Sequence, residues 1–143
     1  MNETVEKCKK IATEAHKGQF RKFGDDKGKP YIVHPERVAS KVASRFDDPY
    51  LAAIGWLHDV IEDTDITIDN LNEMGVPPEV QFGVKGMTKW EGENYLNFIL
   101  RVQMNPYARP VKIADIEDNM ISLKEGSLKD KYRLALYILR RNC

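Results

Sequence analysis

The sequence predicts an all-α protein, a single-domain bundle of about six to eight helices. Apolar residues recur at helical spacing along most of the chain, and prolines or glycines mark where those segments begin or end. Only residues 31–33 look extended, and that stretch is too short to make a sheet. The chain has 143 residues, the length of one domain, and no repeat, low-complexity tract or linker divides residues 1–143.

Four helices are predicted in the first half of the chain. Apolar spacing places them over residues 2–17, 35–46, 50–63 and 67–74. Gly18 and Gly75 end the first and the fourth helix, since glycine readily adopts the backbone conformation that closes a helix. Pro35 fits the first turn of the second helix. The charged stretch over residues 21–31 contains glycines and a proline and is expected to form a loop.

Four more helices are predicted in the second half. They are expected over residues 78–85, 95–102, 110–123 and 128–140. Pro78 opens the first of them. The second has apolar side chains at positions i, i+3, i+4 and i+7 and is closed by Asn105-Pro106.

The composition excludes several classes of protein. Lys plus Arg and Asp plus Glu each number 22, so no net field attracts nucleic acid or an anionic membrane, and a nucleic-acid module is disfavoured. The two cysteines do not suggest a disulfide framework. We see no apolar run long enough to span a membrane and no export leader, so we expect a cytoplasmic protein without a membrane partner.

Four residues scattered along the chain have the chemistry of one divalent-metal site. They are His34, His58, Asp59 and Asp115. Imidazole and carboxylate ligands suit manganese, iron, cobalt or zinc, so ligand type alone does not select the ion. The four come from different helical segments, and we expect them to converge in the core of the bundle. The third histidine, His16, is expected to be structural, near a helix C-terminus where a cation is favourable.

Two further acids follow the His-Asp pair by one helical turn. His58 and Glu62 are four residues apart, as are Asp59 and Asp63, so on one continuous helix they form a polar strip among apolar residues. Such a strip is costly in a core unless it is paired or binds metal. Taken singly, the same acids would also fit a solvated helix end. Together with the four candidate ligands they favour a metal-dependent hydrolase, in which Glu62 orients or deprotonates a water molecule and Asp63 assists at the leaving oxygen.

The candidate ligands and their neighbours resemble a known family. The set of two histidines and two aspartates is similar to the signature of HD-domain metal-dependent phosphohydrolases. Longer stretches resemble the alarmone hydrolase domains of the RelA/SpoT type, from about residue 8 to residue 124. The matching stretches are residues 15–22 (AHKGQFRK), 30–35 (PYIVHP), 38–39 (VA), 57–64 (LHDVIEDT), 87–89 (MTK), 111–115 (VKIAD) and 119–120 (NM).

The resemblance implies an HD-type helical fold and a reaction. One divalent metal, usually manganese, would be held by the four candidate ligands. The substrate would be guanosine tetra- or pentaphosphate, whose 3′-pyrophosphate is hydrolysed to give GDP or GTP and pyrophosphate. Glu62 and Asp63 match the catalytic acid pair, and the chain is expected to be of the small stand-alone type.

The same resemblance implies substrate contacts from basic and polar residues. Arg21 and Lys22 match a basic pair near the substrate, and Asn119 matches a polar residue that lines the pocket. Lys112 precedes Asp115 by three residues on a predicted helix, so it is expected to reach the same face and to contact substrate there. The oligomeric state stays open.

Three stretches depart from the pattern of the family. Residues 24–29 are longer than the corresponding loop in many relatives, and residues 89–115 are compact. After Asp115 the chain reads Ile116-Glu117-Asp118, where relatives usually have a basic or apolar residue, then Leu, then His or Tyr. Acids beside an anionic substrate are unfavourable unless they face away from the pocket, and whether Glu117 and Asp118 do so stays open.

Two alternatives to alarmone hydrolysis stay open. An HD-type phosphohydrolase acting on a nucleoside monophosphate or on the 2′-phosphate of NADPH would release orthophosphate rather than pyrophosphate. A catalytically idle nucleotide or metal sensor would be favoured by loss of a ligand or of the Glu-Asp pair, and the chain retains both.

Overall fold

The computed structural model describes residues 2–141 and confirms the all-α prediction. Within these residues all eight predicted segments are helical, and strand-like pairing is confined to one isolated bridge between Phe20 and Pro30. The α-helices are α1 (Glu3–Ala15), α2 (Val33–Arg45), α3 (Pro49–Leu57), α4 (Val60–Asp63), α5 (Ile68–Glu73), α6 (Pro78–Met87), α7 (Tyr95–Gln103), α8 (Ala108–Ile121) and α9 (Ser127–Arg140). A short 3-10 helix covers Gly24–Asp26 in the loop after α1. None of these helices is long and apolar enough to cross a membrane.

Local signals in the sequence set most helix ends. The side chain of Asn2 accepts hydrogen bonds from the backbone N–H groups at the start of α1. Thr67 and Asn70 form a reciprocal capping box at the start of α5, and the side chain of Asp48 caps α3. These caps satisfy N–H groups that have no partner within the helix.

The predicted extended stretch over residues 31–33 is wrong. Tyr31 and Ile32 lie in a turn, and Val33 is already the first residue of α2. The backbone N–H of Val33 donates to the carbonyl of Pro30, and that of His34 donates to Tyr31. The β-branched pair Ile32-Val33 has strand propensity, but these tight turns override it and place His34 in the first turn of α2.

The single helix predicted over residues 50–63 is two helices. α3 ends at Leu57, and α4 begins at Val60 after a turn at His58 and Asp59. The side chain of His58 binds the carbonyl oxygen of Gly55, which the next helical turn would otherwise use. The break turns His58 toward the interior.

α3 is the central helix of the bundle and packs against α1, α2, α6 and α8. Seven of its nine residues are buried. A Cβ atom on Gly55 would come within 2.8 Å of the Cα atom of Ala39, so α2 and α3 can approach this closely only because the residue is glycine. Alanine there would cost about 1–3 kcal/mol of stability through overpacking. The close approach brings the His34 end of α2 against the His58 end of α3.

Candidate metal centre and adjoining cleft

The four predicted metal ligands meet in the interior of the bundle. Nε2 of His34 lies 2.8 Å from Oδ1 of Asp115, and the Nε2 atoms of His34 and His58 lie 3.3 Å apart. Oδ2 of Asp59 lies 3.0 Å from His58 Nε2 and 3.8 Å from His34 Nε2. Both imidazoles and Asp115 are buried, and these three residues form a group that could hold a metal ion.

Hydrogen bonds outside this group fix the tautomers of both histidines. Nδ1 of His58 lies 2.7 Å from the carbonyl oxygen of Gly55, and Nδ1 of His34 lies 2.7 Å from Oδ2 of Asp118. Both partners are acceptors, so each Nδ1 carries a hydrogen and each Nε2 faces the other members of the group, where its lone pair would be available to a metal. Two carboxylates in this space repel each other unless a cation, either a proton on an imidazole or a metal ion, lies between them. The donor set therefore fits a divalent metal.

The spacing of the donors supports the same conclusion. Atoms about 2.1 Å from one ion lie roughly 3.0–3.4 Å apart in octahedral or tetrahedral geometry. Nε2 of His58 is 3.0 Å from Asp59 and 3.3 Å from both His34 and Asp115.

Charges within the group strongly shift the pKa values of its members. Burial alone would lower the pKa of His58, but the carboxylates of Asp59 and Asp115 outweigh burial and raise it well above the usual value. Burial would raise the pKa of Asp115, but Lys112 and His58 outweigh it and hold that pKa well below its usual range. Asp115 is therefore an anion at physiological pH, the form in which a carboxylate binds metal.

Three neighbouring side chains hold the carboxylates of the group in place. The hydroxyl of Tyr31 donates to Oδ2 of Asp59 at 2.6 Å. The side-chain amide of Asn119 donates to Oδ1 of Asp115 at 3.3 Å, and Nζ of Lys112 donates to its Oδ2 at 2.9 Å. Lys112 was predicted to contact substrate, and the structure places it against the candidate ligand instead of in the lining of the adjacent cleft.

Two residues that were not predicted as site residues, Asp118 and Arg37, support His34 on the Nδ1 side of its ring. Asp118 is buried against His34, and its carboxylate is paired with the guanidinium of Arg37. Glu117 does face away, where it pairs with Arg45 and Arg140. The sequence spacing could have indicated both residues. Arg37 follows His34 by three residues and Asp118 follows Asp115 by three, so each lies on the same helix face as a candidate ligand.

A cleft of about 750 Å³ opens beside the metal centre, between the loop after α1 and the C-terminal part of α8. Three predicted substrate contacts line it: Arg21, Lys22 and Asn119. Nη2 of Arg21 donates to Oδ1 of Asn119 at 3.0 Å, and its guanidinium lies over the ring of Tyr31 at 5.5 Å. Asn119 thus contacts both the cleft arginine and the candidate ligand Asp115.

The two predicted catalytic acids have different surroundings. Asp63 lines the cleft, whereas Oε1 of Glu62 accepts a hydrogen bond from the backbone N–H of Lys89 at 2.6 Å. Burial, together with the negative charges of Asp59 and Glu62, raises the pKa of Asp63 to about 6. A carboxyl group with that pKa exchanges its proton near neutral pH.

His16 is a neutral structural residue at the back of the cleft. Its ring is buried, stacks against Tyr31 with centroids 4.9 Å apart, and bonds through Nδ1 to Oε1 of Gln19 at 2.9 Å. Burial lowers its pKa, so the expected favourable cation at the helix end is wrong. Gln19 in turn donates to the backbone carbonyl of Asp63 at 2.8 Å, which ties the loop after α1 to α4.

Comparison with known proteins gives several relatives and no matching family model. A guanosine-3′,5′-bis(diphosphate) 3′-pyrophosphohydrolase of Haemophilus influenzae is 38% identical over 134 residues, covering 86% of this chain and 19% of the relative. A probable enzyme of the same name from Synechocystis sp. is 32% identical, covering 87% of this chain and 17% of its own length. A GTP pyrophosphokinase of Myxococcus xanthus is 31% identical, covering 92% and 18%. The chain thus spans less than a fifth of the length of these relatives.

The fold also has a counterpart among solved structures. A protein described as a metazoan orthologue of SpoT that hydrolyses ppGpp superposes with a TM-score of 0.74 over 97% of this chain and 84% of the other, at 22% identity. Most of this chain is thus similar in sequence to one part of several guanosine-3′,5′-bis(diphosphate) 3′-pyrophosphohydrolases. Its all-helical fold is that of the solved SpoT orthologue.

Proposed function

We propose that this chain is a metal-dependent hydrolase of guanosine tetra- and pentaphosphate, which removes the 3′-pyrophosphate to leave GDP or GTP. The observation that carries the proposal is the contact made by Asn119, which joins the candidate metal centre to a cleft with a basic pair. A pyrophosphate bound to Arg21 and Lys22 would therefore lie beside the metal. The names of the relatives that match most of the chain support the same substrate.

The proposed ligands of the metal are His34, His58, Asp59 and Asp115. A divalent ion held there would lower the pKa of a water molecule and polarise a phosphoryl oxygen. Imidazole and carboxylate ligands fit Mn²⁺, our first choice, as well as iron, cobalt or zinc. The buried surroundings keep bulk water away from the donors and strengthen their electrostatic interactions.

Glu62 and Asp63 are proposed to carry out the proton transfers. Glu62 uses one oxygen to accept from Lys89, which holds its carboxylate in place as a base that orients the attacking water. Asp63 lines the cleft and has a pKa of about 6, so a substantial fraction is protonated just below neutral pH. Its protonated form would donate to the ribose oxygen, which is a poor leaving group as an alkoxide.

Arg21 and Lys22 are proposed to bind the pyrophosphate. The guanidinium of Arg21 is already oriented by Asn119 and Tyr31, so it loses little freedom when it meets a phosphate. Charge-assisted hydrogen bonds from this pair would neutralise the negative charge that builds up on the pyrophosphate as water attacks it and the ribose oxygen leaves. The cytoplasmic location expected from the sequence remains a prediction.

The experiment that tests the function uses metal-stripped protein supplied with Mn²⁺ and guanosine tetraphosphate, with products separated by anion exchange. We expect GDP and pyrophosphate in equal amounts. Orthophosphate from NADPH or from a nucleoside monophosphate, with guanosine tetraphosphate unchanged, would replace the substrate and keep the reaction class. Binding of nucleotide without any product would indicate a sensor.

A further inference from the structure

Asp118 contacts the proposed metal ligand His34 at the ring nitrogen that faces away from the other proposed ligands. Its Oδ2 atom lies 2.7 Å from Nδ1 of His34, while Oδ1 of Asp115 lies 2.8 Å from Nε2 of the same ring. Two aspartates on one face of α8 therefore hold both nitrogens of one imidazole. The side chain of Asp118 is 1% exposed, so this contact is fully desolvated.

A buried carboxylate needs a compensating charge, and Arg37 supplies it. Its Nε atom donates to Oδ1 of Asp118 at 2.8 Å, and its Nη2 atom donates to Oδ2 at 3.0 Å. Such a bidentate pair fixes the carboxylate geometrically as well as electrostatically. Arg37 also binds Asp26, in the 3-10 helix of the loop that carries Arg21.

We propose that Asp118 is a positioning residue that holds His34 in its ligating tautomer and raises the metal affinity of the centre, and that Arg37 and Asp26 keep Asp118 in place. The inference rests on the metal site of the proposed function. A carboxylate that accepts from the far nitrogen of a ligating imidazole orients the ring and increases its basicity toward the metal.

The chain of contacts also joins the metal centre to the cleft. Asp26 lies 3.3 Å from Nζ of Lys29 and 4.0 Å from Nε of Arg21, so it anchors the loop that presents the basic pair. Removing Arg37 would therefore loosen Asp118 on one side and the loop on the other. Removing Asp118 acts on the metal centre directly.

The test measures Mn²⁺ affinity by calorimetric titration of metal-stripped protein, without substrate. Asp118→Asn keeps the shape and an acceptor oxygen but removes the charge, and we expect an affinity about 10- to 100-fold weaker than that of the parent chain. Glu117→Gln is the matched control, because it removes a neighbouring negative charge on α8 that pairs with Arg45 and Arg140 on the outer side. The control should bind Mn²⁺ as the parent does.

A second variant keeps the proposal testable if Asp118→Asn does not fold. Arg37→Gln changes a side chain that is 37% exposed, and we expect a smaller loss of affinity, on the order of 10-fold or less. The double variant should lose less than the sum of the two single variants, since both act through one carboxylate. The electron paramagnetic resonance spectrum of bound Mn²⁺ should change in both single variants, which a purely structural role would not produce.

The outcomes separate the inference from the function beneath it. Unchanged Mn²⁺ affinity in a folded Asp118→Asn variant overturns the inference, and so does unchanged affinity in Arg37→Gln where only that variant folds. Failure of the parent chain to bind Mn²⁺, Fe²⁺, Co²⁺ or Zn²⁺ overturns the metal site itself. Weakened binding in Asp118→Asn beside parental binding in Glu117→Gln supports the proposal.

Discussion

The candidate metal centre and the cleft beside it are built in opposite ways. The centre takes its side chains from three helical segments, and His34 and His58 are each only 1% exposed. The cleft takes its side chains largely from the loop after α1, where Phe20 and Phe23 are 56% and 73% exposed. The centre is thus organised by the fold, whereas the cleft leaves surface for a ligand to cover.

This difference has energetic consequences. The side-chain polar atoms of His34, His58 and Asp115 are each paired with another polar atom in the buried interior, so removing one of these side chains leaves charged neighbours without a partner. The cleft residues are partly solvated, so water replaces a lost contact at small cost. Substitutions in the centre should therefore abolish metal binding and turnover together, and substitutions in the cleft should weaken substrate binding while metal binding persists.

His58→Ala should have the largest effect. It removes one donor and leaves Asp59 and Asp115 repelling each other, so we expect loss of stoichiometric Mn²⁺ binding and a fall in kcat/KM on the order of 10³-fold or more. Metal content after dialysis and steady-state kinetics measure the two losses. Trp56→Phe, a conservative change at a buried position of α3 two residues before His58, is the control for disturbed packing and should retain metal. Stoichiometric Mn²⁺ in His58→Ala would contradict the assignment.

Glu62→Gln should separate turnover from metal binding. Its amide oxygen can still accept from the N–H of Lys89, so the side chain should stay in place while its basicity disappears. We expect metal content like that of the parent and a fall in kcat of about 10²- to 10⁴-fold. Glu91→Gln makes the same change at an exposed position in the loop after α6 and should be silent. Parental kcat in Glu62→Gln would remove Glu62 from the mechanism.

Arg21→Ala should have a smaller effect, confined to substrate. Charge-assisted hydrogen bonds to phosphate are worth about 1.5–3 kcal/mol, so kcat/KM should fall roughly 10- to 100-fold, mainly through KM.

Added salt should weaken substrate binding to the parent more than to the Arg21→Ala variant. Mn²⁺ affinity should not change, and Lys27→Ala, an exposed change in the same loop, should leave KM as it is. Loss of Mn²⁺ in Arg21→Ala would mean that the two regions are not independent.

The sequence was sufficient for the helical fold and for bringing the candidate ligands together. Helix ends depend on local chemistry, such as the capping box at Thr67 and the proline that opens α6, and local chemistry can be read along the chain. His34 and Asp115 lie on the apolar, buried faces of their helices and His58 follows the buried helix α3, so packing of these faces brings the three side chains into one interior.

The missed features depend on contacts between segments distant in the sequence. The break after α3 turns His58 toward His34 and Asp115, which come from α2 and α8. The role of Asp118 depends on the packing of α8 against α2, because its partner Arg37 lies on α2, 81 residues away along the chain. The three-residue spacing from Asp115 is the local sign that separates Asp118 from its neighbour Glu117.

The smallest expected effect lies outside both regions, in the ion pair of Glu93 and Arg101. Arg101 donates to both oxygens of Glu93 at 2.9 Å and to the carbonyl of Thr88 at 2.8 Å, which holds the loop whose Lys89 N–H binds Glu62. The hydrogen bond to Arg101 lowers the pKa of Glu93 from 4.5 to about 2. Since the folded-state pKa is depressed, the stabilisation is complete above pH 4.5 and is lost as the pH falls toward 2.

Glu93→Gln should therefore lower the free energy of unfolding at pH 7 by at most about 1 kcal/mol, since the pair lies near the surface. The difference between variant and parent should shrink as the pH falls through the titration range of Glu93, and urea unfolding at a series of pH values measures it. Glu91→Gln should follow the parent throughout. A difference that stays constant down to pH 2 would mean that packing, not charge, holds the loop. The loop with Lys89 binds Glu62 and does not line the cleft. Glu93→Gln should therefore reduce kcat slightly through Glu62 and leave KM and Mn²⁺ affinity unchanged.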